Sequence, residues 1–152
     1  MLGMLVLATF ALLVTRADIS RDAAREAALA GDLPRALPLA RQAVARDPFD
    51  PEARSLLSHL LFELAVKKSS PGSGEAQEAE AQALRATELD PLTPHHWNHL
   101  GRVLLANGDR QGAYIAMARA ARLYPIKIEY RQDRDAVGAS LAPSQAGTGA
   151  PR

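Results

Sequence analysis

Three stretches of the chain end in proline and carry small residues at the same three distances before it. The prolines are Pro48, Pro91 and Pro125, and the residues 5, 8 and 12 positions earlier are alanine in eight of nine cases. These positions are Ala36, Ala40, Ala43, Ala79, Ala83, Ala86, Ala113, Met117 and Ala120. Their spacing puts them on one helix face, where small side chains let a neighbouring helix approach. Proline then ends each helix, because it lacks an amide N–H and disfavours helical geometry in the preceding residue.

The segment before each of these helices is amphipathic as well. These segments cover about residues 17–30, 51–66 and 94–107, so the repeating unit is a pair of helices. Only 5% of the residues are aromatic, which argues against a β-sandwich or barrel. Cysteine is absent, which excludes disulfides, iron–sulfur clusters and thiol nucleophiles. The net charge of +1 gives no general attraction to nucleic acid.

The third unit, residues 94–127, resembles the tetratricopeptide repeat (TPR). Its matching positions are Trp97, Leu100, Gly101, Ala113, Met117, Ala120 and Pro125, with Met117 in place of the family's phenylalanine. The resemblance implies an all-α fold, a right-handed TPR superhelix (an α-α solenoid) of three helical hairpins at 17–50, 51–93 and 94–127. We expect an N-terminal apolar helix before the hairpins. After them we expect a short C-terminal capping helix at 128–137 and a disordered tail at 138–152.

The middle unit is longer than the other two. Residues 67–75 read KKSSPGSGE, nine residues with the composition of a turn or linker, and removing them restores the register of the repeat. We therefore expect an inserted loop at 67–75.

Residues 1–16 form a separate segment, because LGMLVLATFALLV at residues 2–14 contains no charge. As a helix this stretch is about 20 Å long, against a bilayer core of about 30 Å. We expect a membrane anchor; the alternatives are a signal sequence, a helix covering the next domain, or the last span of a longer membrane protein. Arg16, Arg21 and Arg25 follow the segment, which favours the cytoplasmic side for the rest of the chain.

The resemblance also implies a concave surface lined by the first helix of each unit. The residues carried over to it as a partner-binding groove are Arg21, Arg25, Ser55, His59, Phe62, His95, Asn98 and Arg102. Some TPR proteins clamp a chaperone's terminal carboxylate, and this chain matches that pattern only in part, with Leu56 in place of one asparagine. Because arginine binds carboxylates bidentately, we expect a protein partner with an acidic segment. Pairing of these arginines with nearby acidic residues is the alternative.

Other chemistry has little support in the sequence. His95 and His99 share a helix face and His59 lies in the preceding unit, but no zinc motif surrounds them, so we expect no metal. No nucleophile elbow, phosphate-binding loop or paired-carboxylate motif is present, and no aromatic residues accompany the basic ones. We expect no enzymatic activity, no cofactor, no small-molecule substrate and no nucleic-acid partner.

These observations favour a scaffold or docking subunit of a membrane-associated assembly. Two alternatives stay open. The first alternative is that the chain is the C-terminal TPR region of a multi-span bacterial membrane enzyme, such as an O-antigen polymerase or ligase-like protein. The second is that it is a soluble peptide-binding adaptor.

Overall fold

The computed structural model describes residues 18–70 and 72–141. Within these ranges the secondary structure is helical, with no strand. The helices are α1 (residues 18–29), α2 (Leu33–Arg46), α3 (Pro51–Lys67), α4 (Gly74–Leu89), α5 (Pro94–Ala106), α6 (Arg110–Leu123) and α7 (Ile128–Leu141). They form three hairpins, α1–α2, α3–α4 and α5–α6, and α7 packs on α6. The all-α solenoid predicted from the sequence is confirmed.

The small residues of the repeat lie where the two helices of a hairpin touch. All nine positions in α2, α4 and α6 are buried. The closest approach is at Gly101 in α5, where an added Cβ would lie 2.6 Å from Cγ of Met117 and 3.1 Å from the carbonyl oxygen of Ala113. Ser58 holds the equivalent position in α3 and fits because its hydroxyl donates to the carbonyl oxygen of Ala79 at 2.7 Å. Small side chains therefore set the distance between paired helices.

Two of the hairpin turns use the same glycine–aspartate pair. Gly31 and Gly108 end α1 and α5 with positive φ angles of 75° and 92°, which glycine adopts without steric cost. The amide of the following aspartate donates to a carbonyl five residues earlier, at 2.9 Å in both turns. The carboxylates of Asp32 and Asp109 then accept from an amide three residues later and cap α2 and α6.

The turns between hairpins are organised by the repeat prolines. The carbonyl oxygen of Pro91 accepts a hydrogen bond from Nε1 of Trp97 at 2.9 Å. In the preceding unit Arg54 holds the position of Trp97, and its Nε donates to the carbonyl oxygen of Pro48 at 2.8 Å. The first helix of a unit is thus tied to the turn before it by a side-chain donor at one fixed position.

The extra residues of the middle unit form only part of the loop predicted at 67–75, because Lys67 belongs to α3 and residues 74 and 75 belong to α4. The connection between α3 and α4 covers only residues 68–73. Pro51 and the turn residue Ser69 are 18 positions apart, whereas the corresponding Pro94 and Gly108 of the third unit are 14 positions apart. Ser69 replaces the turn glycine with a φ of 49°. The insertion therefore adds about one turn to α3.

The ends of the chain differ in part from expectation. The capping helix continues to Leu141, beyond the predicted end at residue 137, because Val137 is buried against α6 and Leu141 packs at the same place. Residues 138–141 therefore belong to α7, and the rest of the predicted tail lies outside the described residues. The predicted anchor at 1–16 also lies outside them. Among the described helices, none is both long enough and apolar enough to cross a bilayer.

Gly101→Ala tests the close helix contact. The added methyl group enters occupied space, so we expect the free energy of unfolding to fall by about 1–3 kcal/mol in urea denaturation. Gly74→Ala is the matched control, because it opens α4 with no atom within 4 Å of the added Cβ and should be neutral or slightly stabilising. Equal losses in both variants would contradict this account of the hairpin contact.

Candidate functional site

A groove of about 460 Å³ lies along the exposed side of α3, facing α5. Its apolar lining includes Leu56, Phe62 and Val66 of α3. Arg102 of α5 and His59 of α3 supply polar groups at its edge. The volume falls in the range of binding clefts, and it suits one or two side chains of a partner.

The charged groups of this groove differ in how they are paired. Lys67 bonds to Glu63 at 2.7 Å, one turn earlier on the same helix. Arg102 is exposed, and among the described residues no carboxylate lies within ion-pair distance of it. Arg25 is exposed near the same face, and its guanidinium lies 3.8 Å from the carboxylate of Glu52. Arg102 is thus the cation of the groove with capacity left for a partner's carboxylate.

The histidines behind the groove have a structural arrangement. Nε2 of the buried His99 lies 2.8 Å from Oγ of Ser58, whose own proton goes to the carbonyl oxygen of Ala79. His99 is therefore the donor of this bond, with its proton on Nε2. His59 stacks on His99 with ring centroids 3.5 Å apart. Burial first, and then the neighbouring His59, lower the pKa of His99 far below its ordinary value.

The Ser58–His99 pair is not a nucleophile–base pair. Ser58 is fully buried and already donates its proton to a backbone carbonyl. A serine nucleophile needs the opposite arrangement, with the hydroxyl proton directed at the imidazole and the oxygen open to substrate. The pair instead joins α3, α4 and α5.

Three of the eight predicted groove residues come together in the groove. These are His59, Phe62 and Arg102. Arg25 lies on the exposed face near Glu52. Ser55 is only 4% exposed and faces the core.

The remaining predicted groove residues make contacts within the chain. Nη1 of Arg21 lies 2.5 Å from Oδ2 of Asp50, and Nη2 lies 3.0 Å from Asp18. This guanidinium joins α1 to the residue that caps α3. Nδ2 of Asn98 donates to Asp133 of the capping helix at 3.1 Å.

The structure also assembles a cluster that differs from the histidine set considered from sequence. His95 and His96, at the start of α5, both approach Oε1 of Glu52 at the start of α3. Their Nε2 atoms lie 3.4 and 3.5 Å from that oxygen. His99 takes no part, because its Nε2 is bonded to Ser58. Sequence analysis missed this cluster. Residues 51–55 and 94–98 begin the first helices of adjacent units, and this equivalence was the one signal that could have brought Glu52 and His95 together.

Comparison with known proteins gives the family. A family model described as tetratricopeptide repeat matches residues 21–64 and 72–125, which is more than half of the chain. The chain belongs to the tetratricopeptide repeat family. A search of curated proteins finds no match to this TPR chain.

Solved structures share the fold at low identity. The first TPR of Spaghetti (RPAP3), bound to the HSP90 peptide SRMEEVD, has a TM-score of 0.75 and 16% identity over 85% of this chain and 95% of that one. The Sgt2 TPR domain from Aspergillus fumigatus gives 0.71 and 17%, covering 90% and 85%. A mutant Thermobaculum terrenum O-GlcNAc transferase gives 0.70 and 22% over 82% of this chain and 22% of that one. These likenesses show the TPR fold.

The buried histidines predict a pH dependence of stability. The pKa values of His96 and His99 are lower in the folded chain than in the unfolded one, mainly because burial disfavours the charged rings. The unfolded state therefore binds more protons below about pH 6.5, and stability falls with acidification by up to about 1.4 kcal/mol per pH unit for each ring. We expect urea denaturation between pH 7 and 5 to show this loss.

His99→Gln separates this contribution from that of the carboxylates. Its amide can still donate to Ser58, but it does not titrate, so the stability of the variant should depend less steeply on pH. Ser58→Ala is the control, because it breaks the same hydrogen bond but keeps the buried ring of His99, so it should lower stability and leave the slope close to the original. A slope unchanged by His99→Gln would show that this histidine does not contribute.

Proposed function

We propose that this chain is a non-enzymatic adaptor that binds a peptide segment of a partner protein in the groove of α3. The observation that carries the proposal is Arg102, an exposed cation without an ion-pair partner among the described residues, beside the apolar lining formed by Leu56, Phe62 and Val66. TPR repeats are associated with protein–protein interaction, which agrees with this assignment.

The chemistry of the groove favours an acidic segment with a bulky apolar side chain. The apolar side chain would replace water over Phe62 and Val66, and burial of apolar area is favourable by about 25 cal/mol per Å². A neighbouring carboxylate would then reach the guanidinium of Arg102, which can bind it through two hydrogen bonds. The unit that carries Arg102 has five basic residues and one acidic residue, which assists the approach of an acidic segment.

This groove differs from a clamp for a terminal carboxylate. Among the positions that match such a clamp, Arg21 is bonded to Asp50 and Asn98 to Asp133. Leu56 supplies an apolar surface where the clamp pattern has asparagine. We therefore propose that the partner's acidic side chains, rather than its C-terminal carboxylate, are recognised.

Peptide selection on the full chain tests the proposed specificity. A phage-displayed peptide library should yield sequences that carry Asp or Glu within a few residues of a Leu, Met or aromatic residue. Arg102→Glu should weaken binding of a selected peptide by about tenfold or more in fluorescence anisotropy, which corresponds to about 1.4 kcal/mol. Phe62→Ala should weaken it as well, because the apolar contact is lost.

Arg122→Glu is the matched charge control. Arg122 is exposed in the last turn of α6, so the net charge changes equally while the groove stays intact. Its peptide affinity should stay within about twofold of the original chain, apart from a small long-range effect that salt screens. Selected peptides without acidic residues, or equal losses in Arg102→Glu and Arg122→Glu, would refute the assignment of Arg102.

Membrane attachment through residues 2–14 is a separate proposal supported by their apolar sequence alone. The full chain should then sediment with membranes after cell lysis, and deletion of residues 1–16 should move the repeats to the supernatant. An alkaline carbonate wash distinguishes insertion in the bilayer from attachment to a membrane protein. Equal distribution of the full chain and the deletion variant would exclude an anchor, and peptide binding by the groove does not depend on the result.

A further inference from the structure

Glu52, His95 and His96 form a compact set of metal-ligating side chains at one end of the paired first helices. One ligand atom from each lies within 4.8 Å of the other two. Oε1 of Glu52 is 3.4 Å from Nε2 of His95 and 3.5 Å from Nε2 of His96. Zinc binds nitrogen and oxygen at about 2.0–2.2 Å, so neighbouring ligands of a tetrahedral site are separated by about 3.3–3.5 Å. The distances from Glu52 to His95 and from Glu52 to His96 already have this length.

The ring of His96 gives a second, independent observation. Its side chain is fully buried, and neither Nδ1 nor Nε2 has a hydrogen-bond partner among the described residues. A buried polar atom without a partner costs about 1–3 kcal/mol, so such atoms normally meet water, a protein group or an ion. The unpartnered Nε2 lies 3.5 Å from Oε1 of Glu52, and the ring centroids of His95 and His96 are 4.1 Å apart. The cluster therefore contains a buried nitrogen whose hydrogen-bonding capacity is unused.

The electrostatic surroundings suit a neutral imidazole and a bound cation. Burial, followed by His95, lowers the pKa of His96, which keeps its ring in the uncharged form that ligates metals. The carboxylates of Glu52, Asp90 and Asp50 act on His96 in the opposite direction and provide negative charge around the cluster. Two features oppose a cation: the positive end of the α5 dipole and Arg25, 3.8 Å from Glu52. Arg25 is about half exposed and can turn into solvent at little cost.

We propose that Glu52, His95 and His96 bind a zinc ion, with the fourth coordination position open to water or to a group from a partner. Two imidazoles and one carboxylate form a donor set that suits zinc better than the harder magnesium and calcium ions. The side chains of His95 and Glu52 are partly exposed, so they are free to adjust and close the site. His96 is held in place by burial.

A zinc ion at this position would connect α3 to α5. These are the first helices of two successive units, and they also meet where His99 bonds to Ser58 and its ring contacts the rings of His59 and Phe62. The metal would therefore join adjacent hairpins at the end opposite to Arg102 and Val66. This inference extends beyond peptide binding and does not depend on it.

Isothermal titration of the tag-free full chain with zinc chloride tests the proposal. We expect one zinc ion per chain, with no comparable binding of magnesium or calcium at the same concentration. Glu52→Gln and His95→Gln should each weaken zinc binding by about tenfold or more. Both positions are partly exposed, so these variants should fold, which circular dichroism in the absence of metal verifies.

His59→Gln is the matched control, because it removes another histidine from the same region without touching the cluster. Its zinc affinity should stay within about twofold of the original chain. NMR of the imidazole nitrogens should show that zinc perturbs Nε2 of His95 and His96 while leaving His99 bonded through Nε2. Absence of zinc binding by the original chain, equal losses in His59→Gln and His95→Gln, or full affinity in Glu52→Gln would each overturn the proposal.

Discussion

Close contact between the two helices of each hairpin is the constraint on which the rest of this structure depends. A helix approaches a partner's backbone only where side chains at the crossing are small, and the chain meets that requirement in three ways. Gly101 leaves room for Met117, Ala24 is fully buried, and Ser58 replaces a steric conflict with a hydrogen bond to Ala79. Because each crossing is satisfied, the first helices of successive units line up along one side and create a continuous surface.

The middle unit shows how a local insertion shapes that surface. The two hydrogen bonds that end the first helix are the same in all three units, but in the middle one they come about one helical turn later, at Ser69 instead of a glycine. The added turn carries Val66 and Lys67, and both line the groove. A mobile loop of nine residues would not provide a fixed apolar wall. The insertion therefore does more than separate two helices, since it lengthens the groove along the axis of α3.

Much of the fold was predictable because it depends on periodic local features. Alanine spacing, terminating prolines and the glycine–aspartate pair act within a few residues, so the sequence displays them directly. The site was less predictable because long side chains choose among partners brought together only by packing. Arg21 has acidic neighbours in its own helix, yet it also reaches Asp50 across the unit boundary, and Asn98 bonds to Asp133 of the capping helix. Helix position alone could not distinguish residues that line the groove from residues that hold units together.

The three histidines of α5 show that a small difference in position along a helix gives a residue a different environment. His95, His96 and His99 lie within two turns of one helix, but they have three different environments. His99 is committed to Ser58, His95 is half exposed, and His96 is buried with unused nitrogens. The register of α5 against α3 decides which histidine faces Glu52 and which faces Ser58, because these two residues are almost two turns apart on α3. The Ser58–His99 bond holds His99 opposite Ser58 in that register, in which His95 and His96 meet Glu52 and Arg102 lies beside the groove.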